Sequence, residues 1–175
     1  MSNYDNETEA GERFGQYVTF LLDSELYAVD VRNARTVIHE AKVTRIPHME
    51  SFVAGLIDFR GHGIPLIDLK TKLGVEGSSP AGASGGMGTA EVPPGSAVLI
   101  LELPQGDNHI TVGVIVDEVH EVIALDEATI EPAPAVGSAC NLEYLRGIAR
   151  NEETFILVLN AERILESGEV AAISV

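Results

Sequence analysis

Tryptophan is absent from this 175-residue sequence, and aromatic residues make up only 5% of it. A hydrophobic core must therefore be built from valine, isoleucine and leucine, since apolar residues still reach 45% of the chain. Side chains branched at Cβ fit the pleated surface of a sheet, so this composition favours strands over helices. Charged residues make up 22% of the chain, which is typical of a folded domain rather than a disordered one.

Basic residues are also scarce, because 11 lysines and arginines face 27 acidic residues and give a net charge of −16. Such a surface repels phosphate backbones and anionic lipids, so we expect no binding to nucleic acid and no direct membrane insertion. No apolar run is long enough to span a bilayer, and residues 1–12 lack the apolar segment of a signal peptide. These features predict a soluble, cytoplasmic protein.

The groups that catalysis or metal binding would need are few and scattered. Cys140 is the only cysteine, which excludes a disulfide within the chain. The histidines do not have the spacing of a zinc site, so we expect no metal and no cofactor. The five are His39, His48, His62, His109 and His120. No nucleophile lies beside a base in a known catalytic pattern, so we predict no catalytic residues and no enzyme.

Asp58 and Asp68 are the nearest approach to a carboxylate pair for acid–base chemistry. Asp68 directly precedes a predicted helix that ends at Leu73, where its side chain would accept hydrogen bonds from the first turn. A small enzyme or ligand-binding module could use Asp58, His62 and Asp68 only if a pocket held them within hydrogen-bond reach. That alternative stays open from the sequence.

Ten short runs have the apolar pattern of strands, and helices are predicted after Asp68 and after Asn160. The runs are residues 16–22, 26–31, 35–38, 56–59, 63–67, 97–103, 110–116, 120–124, 144–149 and 155–159. Residues 1–14 are predicted to be a flexible tail, and residues 74–96, rich in Gly, Ser and Pro, a flexible loop. The single domain is expected to cover residues 15–171.

The chain contains an internal repeat. Residues 27–38 match residues 112–123 at an offset of 85, so that Val37 corresponds to Val122. A second block matches at an offset of 92, where Gly147 corresponds to Gly55. Each half thus has five short strands, enough to close into a small barrel without exposed sheet edges. Two barrels side by side would leave a groove between them.

Two features could serve recognition. Arg60 lies at the predicted tip of a hairpin before Gly61, where its guanidinium could reach a partner's carboxylate or could pair within the chain with Asp58. Val37 and Val122 could be core residues of the two lobes, or they could line an apolar groove between them. The spacing alone does not decide either case.

Seven blocks of the sequence resemble the CheW-like domain in order and spacing. They are residues 17–22, 25–31, 43–47, 52–61, 64–69, 113–119 and 144–150. The resemblance implies a mainly β fold of two intertwined five-stranded SH3-like β-barrels with a few short helices. It also implies a non-enzymatic adaptor that couples methyl-accepting chemoreceptors to the histidine kinase CheA in chemotaxis, or an adaptor of a non-flagellar receptor–kinase pathway.

The partners implied are the regulatory domain of a CheA-type kinase and the cytoplasmic tip of the chemoreceptors. By the same resemblance, Arg60 matches the arginine of the family's Asn-Leu-Arg-Gly motif, which is implicated in partner coupling, and Asp58 and Gly61 beside it are expected to take part. Ala34, Val37 and Val122 match apolar positions of the receptor-binding groove. The chain departs from the family pattern at Asp58-Phe59, which replaces Asn-Leu, and at Ala34, which is smaller than the usual branched residue.

Overall fold

The computed structural model describes residues 14–75, 89–133 and 142–165, and strands dominate these ranges. The strands are β1 (Phe14–Leu22), β2 (Glu25–Asp30), β3 (Ala34–Ile38), β4 (Lys42–Thr44), β5 (Val53–Phe59), β6 (His62–Asp68), β7 (Thr89–Glu91), β8 (Ala97–Gln105), β9 (Asn108–Val116), β10 (Glu118–Asp126), β11 (Leu145–Asn151) and β12 (Thr154–Leu159). The described part also holds two short helices, α1 (Leu69–Leu73) and α2 (Ala161–Ile164), and 3₁₀ turns at Glu127–Thr129 and Leu142–Tyr144.

The strands form two sheets, each of which combines strands from both halves of the chain. The first lobe has the order β10-β1-β2-β12-β11, and the second has the order β3-β8-β9-β6-β5-β4-β7. The β1–β2 hairpin of the first half therefore lies between strands of the second half, and the β8–β9 hairpin lies between strands of the first half. The predicted mainly β fold of two intertwined barrels is confirmed. The second sheet has seven strands rather than five.

The exchange of hairpins follows from short connections across the lobe junction. Only residues 31–33 join β2 to β3, and only Asp117 joins β9 to β10. These links are held across the junction by backbone hydrogen bonds, from Glu102 N to Asn33 O at 2.7 Å and from Asp117 N to Leu21 O at 3.0 Å. The repeat by itself predicts that each half closes into its own barrel. Links this short instead send the chain directly into the other lobe.

Each barrel closes where the segment that follows β3 or β10, the third predicted strand of each half, passes close to a glycine. In the second lobe Thr44 pairs with Leu56, and in the first lobe Glu131 pairs with Ile148. A Cβ atom would lie 2.4 Å from the Thr44 carbonyl oxygen at Gly55, and 2.4 Å from the Glu131 carbonyl oxygen at Gly147. The strand register shifts at both glycines. Close backbone approach therefore explains why glycine recurs at both repeat positions.

The largest hydrophobic cluster contains residues from both sheets, and a smaller one lies within each lobe. The large cluster includes Phe20 and Tyr27, whose stacked rings lie 6.1 Å apart, together with Leu99 and Leu101 of β8. Alternate residues of β1 and β8 face this cluster, as the two-residue period of a strand requires. The junction of the two lobes is therefore a packed core for most of its area.

The predicted helix caps are confirmed. Asp68 accepts a hydrogen bond from Thr71 N at 3.4 Å, and Asn160 accepts one from Glu162 N at 3.0 Å. Strands β4 and β7 were not predicted, and β7 lies inside the segment 74–96 that the composition indicated as a flexible loop. Residues 1–13 and 76–88, for which flexibility was predicted, fall outside the described residues, as does Cys140.

Candidate partner-binding surfaces

Arg60 lies at the tip of the hairpin that joins β5 to β6. Phe59 pairs with His62, so only Arg60 and Gly61 form the turn. Their φ angles are 54° and 81°, both in the left-handed region that a type I′ hairpin turn requires. The Asp58 side chain fixes this turn, since its Oδ1 accepts a hydrogen bond from Gly61 N at 2.9 Å. The turn therefore presents Arg60 to solvent on a defined backbone.

The Arg60 guanidinium lies 5.0 Å from the centre of the Phe59 ring, which supports it from one side. Within the described ranges no ion pair joins Arg60 to a carboxylate, and the Asp58 carboxylate is engaged with the turn backbone instead. The predicted coupling residues Asp58, Arg60 and Gly61 are thus all exposed and form one surface. We call it the Arg60 turn.

Ala34 and Val37 lie on β3, at the edge of the second sheet. They pair with Leu101 and Leu99 of β8, and both of these leucines belong to the core between the lobes. Ala34 and Val37 are half-buried and pack against that same core. They therefore lie on the junction face of the second lobe, partly in the core and partly accessible.

Val122 lies on β10, at the edge of the first sheet. It pairs with Val18, whose side chain belongs to the junction core, so Val122 points to the same face. Unlike Val37, its counterpart in the repeat, Val122 is 52% exposed. We call Ala34, Val37 and Val122 together the seam, because they lie on the two sheet edges that flank the junction core.

The structure keeps the Arg60 turn and the seam apart. In the second sheet, β8 and β9 lie between β3 and the β5–β6 hairpin, and the remaining seam residue is in the other lobe. One surface is a charged loop tip and the other is an apolar strand edge. The predicted site residues therefore form two separate surfaces rather than one pocket.

The alternative site of Asp58, His62 and Asp68 is not assembled. Asp58 and His62 are exposed at the tip of the β5–β6 hairpin, whereas Asp68 is buried at the other end of β6. Asp68 is six residue steps along extended strand from His62, a distance of about 20 Å. Groups that far apart cannot act on one substrate, so the geometry contradicts this alternative. Among the described residues no cluster of His, Cys, Asp and Glu could hold a metal ion.

A polar cleft of about 550 Å³ between the lobes was not predicted. At its base, Arg146 Nη1 donates to the Tyr17 hydroxyl at 2.7 Å, and that hydroxyl donates to Glu127 Oε1 at 3.2 Å. Burial raises the pKa of the Tyr17 phenol, and the nearby Arg146 opposes this rise. The three arginines of the cleft are each paired with a carboxylate, Arg32 with Asp30, Arg35 with Glu102 and Arg146 with Glu127.

An apolar groove on the first lobe was also missed from the sequence. Phe155, which is 65% exposed, lines it with Leu26, Leu157 and Pro132. The sequence signal was present, since Phe155 opens a predicted strand. The repeat also marks Phe155 as unusual, because the equivalent position in the other half, 92 residues earlier, is Gly63.

No helix within the described ranges is both long and apolar enough to cross a membrane.

Comparison with known proteins gives measured similarities that agree with the resemblance seen in the sequence. The family model of the CheW-like domain matches residues 16–169. The chain is 30% identical over 165 residues to the chemotaxis protein CheW of Klebsiella aerogenes, an alignment that covers 94% of this chain and 90% of the relative. It is 26% identical over 160 residues to the chemotaxis protein CheW of Bacillus subtilis, with 91% and 90% covered.

Among solved structures, the crystal structure of the scaffolding protein TtCheW from Thermoanaerobacter tengcongensis is similar to this fold. The TM-score is 0.69 at 31% sequence identity, and the superposition covers 89% of this chain and 90% of the other. The similarity therefore includes both lobes and is not restricted to one barrel.

Proposed function

This chain belongs to the CheW family of non-enzymatic chemotaxis scaffold proteins, and from that premise we propose that it couples methyl-accepting chemoreceptors to a CheA-type histidine kinase. In this role the protein performs no chemistry. It holds two partners at a fixed distance, and its binding to receptors recruits it to membrane-associated receptor arrays.

The observation that carries this proposal is the separation of the Arg60 turn from the seam. An adaptor must bind two partners at once, so it needs two surfaces that do not overlap. The two surfaces lie on different strands and differ in chemistry, one charged and one apolar. Different chemistry favours different partners, because a surface that suits one leaves the other with unpaired or unburied groups.

The Arg60 turn is assigned to the regulatory domain of the kinase. Arginine presents five donors in a planar fork and suits a carboxylate of the partner. The turn is held by the Asp58–Gly61 hydrogen bond and needs little ordering on binding, which lowers the entropy cost of association.

The seam is assigned to the cytoplasmic tip of the receptor. The side chains of Ala34 and Val37 pack on the junction core, so they are rigid, and Val122 adds exposed apolar area on the other sheet edge. An apolar strip of this kind suits the apolar face of a helix.

The test is assembly of the three-component complex with the variant Arg60→Glu. We expect at least a tenfold loss in the amount of kinase regulatory domain that co-purifies with receptor tips, since the charge at the tip is reversed. The matched control is Glu152→Arg, which reverses the charge of the residue at the equivalent position of the other lobe and should leave assembly unchanged. Normal assembly by Arg60→Glu would show that the role given to Arg60 is wrong.

A further inference from the structure

The described part of the chain exposes three large apolar side chains, Phe14 at 52%, Val122 at 52% and Phe155 at 65%. Phe155 belongs to the separate groove on the first lobe. Phe14 was predicted to belong to the flexible tail, but it is the first residue of β1. A phenylalanine in a paired strand that leaves about half of its surface in solvent is a reason to look for a partner.

Phe14 and Val122 lie on the same face of the first sheet. Phe14 pairs with Asp126 and Val18 pairs with Val122, with the pair Gln16 and Ala124 between them. Alternate residues of a strand share a face, so Phe14 is on the side of Val18, whose side chain enters the junction core. The strip from Val122 through Ala124 to Phe14 therefore continues the seam along β10 and β1.

With this strip, the seam has more apolar area on the first lobe than on the second. On β3 the seam offers Ala34, whose counterpart in the repeat is Val119. The second lobe thus contributes only a methyl group at a position where the first lobe has a valine. Phe14 supplies on the first lobe the apolar area that Ala34 lacks on the second, and aromatic side chains are the most frequent anchors of protein interfaces.

The spacing and charge of the strip indicate what kind of partner would bind it. Phe14 lies four strand residues from the Val18–Val122 pair, about 13 Å, which equals eight or nine residues of a helix at a rise of about 1.5 Å. On the face of the strip, the acidic residue Asp126 pairs with Phe14, and β10 holds no lysine or arginine. An amphipathic helix with apolar residues two turns apart and lysine or arginine beside them complements both features.

We propose that Phe14 is a further anchor of the receptor-binding seam and contacts a helix of the chemoreceptor tip whose apolar ridge has basic residues beside it. This inference rests on the proposed function, because it takes the receptor tip as the occupant of the seam. It places the main apolar contact on the first lobe, along β1 and β10, rather than evenly across the two lobes.

The test measures binding of a purified chemoreceptor tip fragment, and separately of the kinase regulatory domain, to the full chain and three variants. Phe14→Ala is expected to weaken tip binding about tenfold. Val122→Asp places a charge in the seam and should weaken it more. Phe155→Ala, the matched control, removes an even more exposed phenylalanine outside the seam and should leave tip binding unchanged. Kinase binding and the thermal midpoint should remain at the wild-type value in Phe14→Ala.

The outcomes separate this inference from the proposed function. Weaker tip binding by both Phe14→Ala and Val122→Asp, with kinase binding intact, supports the assignment of Phe14. An effect of Val122→Asp alone overturns the role of Phe14 and leaves the proposed function standing. Equal losses of tip and kinase binding in Phe14→Ala would show a general structural effect and also overturn it. If neither variant weakens tip binding, the seam itself is wrongly assigned, and the inference fails with it.

Discussion

The tips of the β5–β6 and β11–β12 hairpins occupy equivalent places in the repeat, 92 residues apart, yet they carry opposite charges. Arg60 begins the first turn with φ 54°, and Glu152 begins the second with φ 55°. A left-handed first turn residue is therefore shared by both hairpins and is not evidence that Arg60 is special. What differs is the side chain, with arginine and glycine at one tip and two glutamates at the other.

The two ends of the lobe junction show the same contrast. At one end Lys70 Nζ lies 2.9 Å from Asp117 Oδ2 and closes the junction. The equivalent positions at the other end are Glu162 and Arg32, with the charges exchanged. Arg32 pairs with Asp30 at 2.7 Å instead, and both Arg32 and Glu162 line the polar cleft. The two lobes thus share the strands and glycines of the repeat, while their charges and exposed apolar groups differ.

The largest expected effect is on stability and concerns the two glycines at which the barrels close, a feature that both lobes share. Gly55→Ala and Gly147→Ala should each lower the free energy of unfolding by about 2–4 kcal/mol, because the new Cβ would overlap a carbonyl oxygen of the closing segment. Gly55→Ala should cost more, since its φ of 148° also strains an alanine. Urea unfolding measures both.

Gly63→Ala is the control for these glycines, because its Cβ would meet nothing within 4 Å. We expect a change within about 0.5 kcal/mol. A Gly147→Ala variant as stable as Gly63→Ala would contradict the account of how the first barrel closes.

A smaller effect is expected at helix α1, where Lys72 occupies the position that Ile164 has in α2. The Lys72 ammonium is 4.1 Å from the Phe52 ring centre and 4.9 Å from that of Tyr144, and the residue is only 7% exposed. Lys72→Ala should cost about 1–2 kcal/mol in chemical denaturation, from lost cation–π contacts and stem packing.

Lys70→Ala, in the same helix, loses only a partly exposed ion pair and should cost less than about 1 kcal/mol. If the two lysine variants are equally stable, the aromatic contacts of Lys72 contribute nothing to the fold.

The smallest effect concerns Asp30 and Arg32 at the open end of the junction. Burial opposes ionisation of Asp30, but hydrogen bonds from the Arg32 side chain and backbone outweigh it and lower the pKa of Asp30 below its ordinary 3.8. A carboxyl with a lowered folded pKa stabilises the fold above its unfolded pKa, and this stability is lost as the pH falls through the folded value.

Asp30→Asn should therefore be slightly less stable than wild type at pH 7, by less than about 1 kcal/mol, because Arg32 is largely exposed. The difference should shrink as the pH is lowered below 3.8 in thermal unfolding series. A difference that stays constant down to pH 2 would show that ionisation of Asp30 is not its source.

The sequence predicted the local features well, because they depend on neighbouring residues. The caps at Asp68 and Asn160 and the exposed turn at Arg60 are examples. The exchange of hairpins between lobes depends on contacts between distant strands, which a repeat cannot reveal. The repeat also could not separate Val37 from Val122, since matching positions differ here in exposure. Strand β7 has only three residues and no periodic pattern, so it was hidden in a Gly-rich segment.

The central claim is that the Arg60 turn and the seam bind different partners, and a crossed binding measurement tests it most directly. Arg60→Glu and Val122→Asp are each titrated with the receptor tip fragment and with the kinase regulatory domain. We predict that Arg60→Glu loses at least tenfold in affinity for the kinase domain only, and Val122→Asp for the receptor tip only. Loss of affinity for the same partner in both variants, or for both partners in either one, would contradict the account.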